Sequence, residues 1–212
     1  MKNKFILPLF FCTAWFTFSC KNNEAELPYL GLTSVDEHGT KVYHTIPDFS
    51  FVNQYGDTIT QKDFEGKIYV ADFFFTSCPT ICPVMKSQML RIFERFEGNS
   101  GVAILSHSID PYHDSVEVLK DYAEALGLKN ADQWNFVTGD QDKIYEMGEK
   151  FYMVTTAEDT LSPEESGGFI HSGAFILVDK NRHVRGLYDG TKEDQVNRLI
   201  RDMELLLKKT DE

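Results

Sequence analysis

The sequence predicts one α/β domain built on a mostly parallel sheet, and three observations carry that expectation. From Ile68 onward, short apolar runs of strand character alternate with segments of helical periodicity. The last two runs, Ala174–Val178 and His183–Tyr188, flank Asp179-Lys180-Asn181-Arg182 as an antiparallel hairpin, with one helix after it. Third, Cys78-Pro79-Thr80-Ile81-Cys82-Pro83 directly follows the run Ile68–Phe75. Two thiols therefore sit beyond the C-terminal end of a buried strand, where α/β sheets carry their chemistry.

At the start of the chain, Lys2 and Lys4 precede the apolar stretch Phe5–Phe18 and the small-residue boundary Ser19-Cys20. This is the pattern of a secretory leader; a membrane span needs about 20 apolar residues, and this stretch is shorter and broken by Pro8. Phe18-Ser19-Cys20 resembles a bacterial lipobox, with Thr17 and Phe18 in place of its usual leucine and alanine flavour. Residues 1–19 are read as a lipoprotein leader and Cys20 as the lipidated first residue of the mature chain. Cys12 then leaves with the leader, and Cys78 and Cys82 are the only free thiols of the four cysteines. In an oxidising compartment such neighbours are paired, metal-bound or redox-active. Residues 20–44 are polar and without periodicity, and are read as a tether.

The domain is expected over 45–212. Ile46–Thr60 reads as a β-hairpin turning at 53–57, and Asp63–Lys67 as a helical turn leading into the strand Ile68–Phe75. A residue before proline is pushed out of the α region, so neither Cys78 nor Cys82 is expected inside a helix. Pro83 suits the first helical position, and Val84, Met85, Met89, Ile92, Phe93 and Phe96 recur at helical spacing until Gly98-Asn99. Gly101–Ser106 is a second buried strand. Asp114 or Ser115 caps a helix closed by Gly127, and Trp134–Val137 is a third strand. A helix from Gly139-Asp140 to about Phe151, a long polar loop from Thr155 to Gly168, the closing hairpin and a helix Lys192–Lys208 complete the chain. The order matches a thioredoxin-like fold with an appended N-terminal β-hairpin.

The helix N-terminus beside Cys82 favours thiolate over thiol. Helical positions four apart hold their Cβ atoms about 5–6 Å apart, wider than a disulfide wants, so the spacing leans toward metal without excluding a disulfide. Of the six histidines, His38, His44, His113 and His183 are read as surface residues, and His107 as structural. His171 lies between the long loop and the strand Ala174–Val178, the point that faces the thiol loop in a thioredoxin-like sheet; from the residues alone its role stays open. Two thiolates and one imidazole suit copper, Cu(I) above all; zinc accepts the same ligands but prefers four, and no fourth stands out. The formal net charge of −12 deepens when Lys2 and Lys4 are removed. With no basic patch, Walker loop or GxGxxG visible, the charge points away from nucleic acid.

Phe73–Pro83 resembles the signature of the Sco/SenC family, thioredoxin-like copper-binding proteins of cytochrome c oxidase assembly. The likeness extends to Ile46–Phe49, Asp63–Lys67, Ser108–Pro111 with Asp114, and His171-Ser172 ahead of the strand ending at Asp179. It implies that Cys78, Cys82 and His171 bind one copper ion, as Cu(I) or Cu(II). It also implies delivery to the copper-bearing subunit of cytochrome c oxidase, whose disulfide the Cys78/Cys82 redox pair would reduce, in the cell envelope outside the cytoplasm. Other copper chaperones or thioredoxin-like reductases are further partners. The family often has Asp where this chain has Ile170, and Thr-Pro where it has Ser115-Val116. The alternative is a copper-independent exported thiol-disulfide reductase or redox sensor working through Cys78 and Cys82 alone.

Overall fold

The computed structural model describes residues 26–128, 132–154 and 173–208. A two-stranded hairpin, β1 (Ser34–Val35) and β2 (Lys41–Val42), precedes the main sheet. That sheet contains β3 (Ser50–Asn53), β4 (Thr58–Thr60), β5 (Ile68–Phe74), β6 (Val102–Ser108), β7 (Trp134–Thr138), β8 (Ala174–Val178) and β9 (Val184–Asp189). Their order is β4-β3-β7-β6-β5-β8-β9. β5, β6 and β7 are parallel, β8 runs antiparallel to β5, and the expected hairpin β3–β4 extends the sheet beyond β7.

β5 and β6 are buried along their whole length, which explains their continuous apolar runs: a central strand covered on both faces has no reason to alternate. The connections from β5 to β6 and from β6 to β7 run through α1 (Cys82–Phe96) and α2 (Val116–Ala125), whose Met85 and Tyr122 line one face of the sheet together with Phe74. Phe74 meets Tyr122 and Phe136 there. α4 (Glu193–Lys208) also packs against α1, burying Val196, Leu199, Met203 and Leu206. On the other face lies α3 (Gln141–Glu146), which widens into a π turn over Met147–Phe151. Gly148 sits in that turn above the Phe73 ring; a Cβ there would come within 3.3 Å of it. No helix of the described residues is long and apolar enough to cross a membrane.

Residues 26–44 differ from a free tether. The Leu30 amide donates to Val184 O, Leu27 is buried, and the rings of Tyr29 and Tyr43 stack 4.0 Å apart. Arg185 holds the segment, donating through Nε to Pro28 O (2.9 Å) and through Nη2 to Leu27 O (2.5 Å), while Nη1 bonds Asp179 at 2.7 Å. These contacts run largely through backbone carbonyls, so the polar composition of the segment gives no sign of them.

Candidate metal centre

β5 ends at Phe74, and the chain turns through Thr76 and Ser77, with the Cys78 amide donating to Phe75 O at 3.2 Å. Cys82 is the first residue of α1, not a residue ahead of it. Val84 and Met85 both donate to Ile81 O, so the helix starts one residue earlier than the pre-proline preference predicts. Pro83 is tolerated there because an amide in the first turn lacks an intrahelical partner anyway. Cys78 and Cys82 are both free and buried, 7% and 8% exposed.

The two thiols are unequal. Burial alone raises Cys78, but hydrogen bonds from the Cys82 thiol, from the Thr80 and Cys82 amides and from the Thr80 hydroxyl outweigh it and hold Cys78 below its ordinary value. The Thr80 oxygen lies 3.8 Å from Sγ. Cys82 is pushed far up, first by burial, then by its hydrogen bond to Cys78 and the charges of Cys78 and Asp72. The helix start was expected to favour thiolate at Cys82; instead its amide serves Cys78, and the bias toward thiolate belongs to Cys78.

Behind Cys82, a cavity of about 10 Å³, near the limit for a single water, is lined in part by Asp72, Ser106, Tyr122 and Trp134. Burial pushes the Asp72 carboxyl up to about 7; its partner is the Ser106 hydroxyl at 2.5 Å, which in turn accepts from Trp134 Nε1 at 2.9 Å. On the opposite face His107 is fully buried, stacked on Phe73 at 4.8 Å and edged by Phe51 and Tyr152. Among the described residues no group reaches either ring nitrogen in good hydrogen-bond geometry, and burial holds its pKa down at about 4 against a smaller upward pull from the Asp72 backbone. The structural role expected for His107 fits this packing.

Asp114 fixes the rim. Its buried carboxylate accepts from the Thr76 amide (3.1 Å), the Thr76 hydroxyl (2.5 Å), the Ser108 hydroxyl (2.6 Å) and His113 Nδ1 (2.9 Å). Ser115 is the residue that caps α2, accepting from the Val118 amide, which leaves Asp114 free to tie α2 to the thiol loop. Sequence reasoning missed Asp72, Thr76 and the second role of Asp114. Asp72 had a readable signal, a lone charge inside an eight-residue apolar run.

His171 and Cys20 lie outside the described residues, as does the loop 155–168. The described residues bring Cys78 and Cys82 together at one pole, and among them no three His, Cys, Asp or Glu side chains converge as a complete metal cluster. The two thiols themselves fit a soft ion, with one already biased to thiolate.

Residues 37–208 match the sequence profile of the SCO1/SenC family. The chain belongs to the SCO1/SenC family. Among solved structures, it resembles a SCO1/SenC family lipoprotein from Bacillus anthracis at 31% identity and a TM-score of 0.67, over 77% of this chain and 95% of that one. It is similar to BsSco, a Sco-family cytochrome c oxidase assembly protein with a disulfide switch, at 30% identity and a TM-score of 0.65, over 77% and 93%. Arabidopsis thaliana ScoI with copper bound, 24% identical, shares the fold at a TM-score of 0.58, over 77% and 98%. The thioredoxin-like fold and its N-terminal hairpin are those of this family.

Proposed function

We propose that this Sco protein is a metallochaperone of the cell envelope that carries one copper ion on Cys78, Cys82 and His171 and delivers it to the binuclear copper site of cytochrome c oxidase. The observation that carries the reading is the reduced, buried thiol pair at the sheet's C-terminal pole, with Cys78 biased to thiolate. Family membership and the copper-bound Arabidopsis relative support copper as cargo. Copper binding would displace the thiol protons that Cys78 and Cys82 still hold, and the two thiolates would then satisfy the ion's preference for soft ligands. Lipidation at Cys20 would hold the domain to a membrane outside the cytoplasm, as the lipoprotein relative supports.

The unequal thiols favour a second reading. A low Cys78 and a high Cys82 suit a dithiol in which Cys78 attacks a partner disulfide and Cys82 resolves the mixed disulfide, releasing the partner's thiols and leaving Cys78–Cys82 oxidised. The disulfide switch of BsSco agrees with that chemistry. An anaerobic Cu(I) and Cu(II) titration of the reduced domain, wild type against His171→Ala, separates the two. One equivalent bound by wild type, with most of the affinity lost in the variant, supports the chaperone. No copper in either protein, with disulfide reduction intact in His171→Ala, establishes the reductase.

A further inference from the structure

The thiol pole carries an imidazole that neither reading uses. His113 follows β6 in the turn ahead of α2, half-exposed at 54% of its side chain, beside Tyr112 at 88%. Its Nδ1 lies 2.9 Å from Asp114 Oδ1 and 3.5 Å from Thr76 Oγ1. Every other partner of the Asp114 carboxylate is a donor, the Thr76 amide and the Thr76 and Ser108 hydroxyls, so the His113 contact is Nδ1–H donating to carboxylate. When the ring is neutral this leaves the Nε2 lone pair free, in an orientation the buried carboxylate fixes. Metal-ligating histidines are commonly built this way, one ring nitrogen donating to a carboxylate and the other facing the ion.

The position is as informative as the tautomer. Thr76 is bonded through both its amide and its hydroxyl to the carboxylate that orients His113, and it is two residues from Cys78. Two residues span at most about 7 Å, so the imidazole stands at the edge of the thiol loop. Cys78 and Cys82 are buried, whereas His113 is open to solvent and within reach of an arriving donor.

We propose that His113 is a transit ligand for copper, taking the ion through Nε2 on its way to Cys78 and Cys82. The proposal rests on the copper reading above. Copper stays Cu(I) throughout. The bond to the donor's ligand breaks as the Nε2 lone pair forms its bond; the two sulfurs then displace Nε2, and the protons the thiols still hold pass to water.

The test is stopped-flow loading of the reduced domain from the Cu(I)–bicinchoninate complex, followed by loss of its colour, for wild type, His113→Ala and His113→Gln. Equilibrium affinity is measured by competition with the same chelator. Both substitutions fall on an exposed side chain. The expected result is unchanged affinity with loading slowed severalfold in both variants. Free imidazole should restore the rate of His113→Ala and leave wild type unaltered, which loss of a structural contact would not do. Equal loading rates overturn the transit role alone, and so does a loss of affinity as large as the loss of rate. A wild type that takes no Cu(I) from any chelator overturns the copper reading and this proposal with it.

Discussion

Asp72→Asn is the substitution whose consequence can be worked furthest, because Asp72 and His107 sit on neighbouring strands and pull the pH dependence of stability in opposite directions. Burial raises the Asp72 carboxyl from 3.8 to about 7. The folded protein therefore keeps a proton that the unfolded chain loses, and stability falls as pH rises through that window. The cost is complete above pH 7 and amounts to about 4 kcal/mol, at about 1.4 kcal/mol per unit. Burial lowers His107 from 6.5 to about 4. The unfolded chain there binds a proton that the folded protein refuses, so stability rises with pH between 4 and 6.5, by about 3 kcal/mol. Between pH 4 and 6.5 the two slopes cancel in the wild type. Asp72→Asn removes one of them: relative to wild type the variant should gain about 4 kcal/mol on going from pH 4 to pH 8. The assay is urea unfolding of the reduced, metal-free domain at half-unit pH steps, read as the difference between variant and wild type so that other groups drop out. A difference independent of pH would refute the reasoning, because the carboxyl would then titrate alike in both states.

The remaining expectations use the same structure. His107→Phe should stabilise by about 1 kcal/mol at pH 7.5, since two unpartnered ring nitrogens leave the core; by urea unfolding the gain should grow by about 3 kcal/mol toward pH 4, as His107 no longer opposes acid. Reduced, metal-free protein treated with limiting iodoacetamide at pH 7 should be alkylated at Cys78 at least about tenfold faster than at Cys82, because thiolate fraction changes tenfold per unit and the two are equally buried; peptide mass spectrometry reads the ratio, and equal labelling would remove the asymmetry. Arg185→Met leaves Asp179 buried without its guanidinium and frees Leu27 O and Pro28 O, so a loss of about 3–5 kcal/mol is expected in thermal unfolding, with faster hydrogen exchange at Leu30.

What could be read from the sequence divides along a physical line. Strands and helices of the sheet were legible because their burial is periodic or continuous: Ile68–Phe74 and Val102–Ser108 are buried throughout and mostly apolar, and the 3.6-residue spacing from Met85 to Phe96 survives as the buried face of α1. The thiol pair was legible from its place after β5. Interactions between side chains and backbone across long separations were not. Arg185 reaches carbonyls 157 and 158 residues away, and nothing in Leu27-Pro28 distinguishes a docked segment from a tether. The thiol electrostatics failed for a similar reason. The helix start argued for Cys82, but direction depends on which sulfur accepts the amides, and that is settled by the Thr80 and Cys82 amides pointing at Cys78.

The docked segment also orients the molecule. Arg185 lies near the start of β9, whose first residue pairs with Val178, and Val178 pairs with Tyr69 at the beginning of β5. Leu27 and Pro28 are thus held toward the end of the sheet opposite Cys78, separated from it by most of the seven-residue β5, about 20 Å of strand. Under the lipid-anchor reading, seven residues join Cys20 to Leu27 and reach at most about 25 Å. The anchor then leaves from the pole away from the thiols, and the thiols face outward from the membrane. A docked segment fixes that orientation, whereas a tether of 25 free residues from Cys20 would let the thiol pole turn toward the lipid. Arg185→Met therefore separates two properties in one protein. Copper affinity, set at the far pole, should hold at temperatures where the variant stays folded. In the lipidated protein on vesicles, a fluorophore on residue 112 should be quenched by a headgroup-attached quencher more strongly in the variant than in wild type. Equal quenching would mean that the latch does not set the direction in which the thiols face.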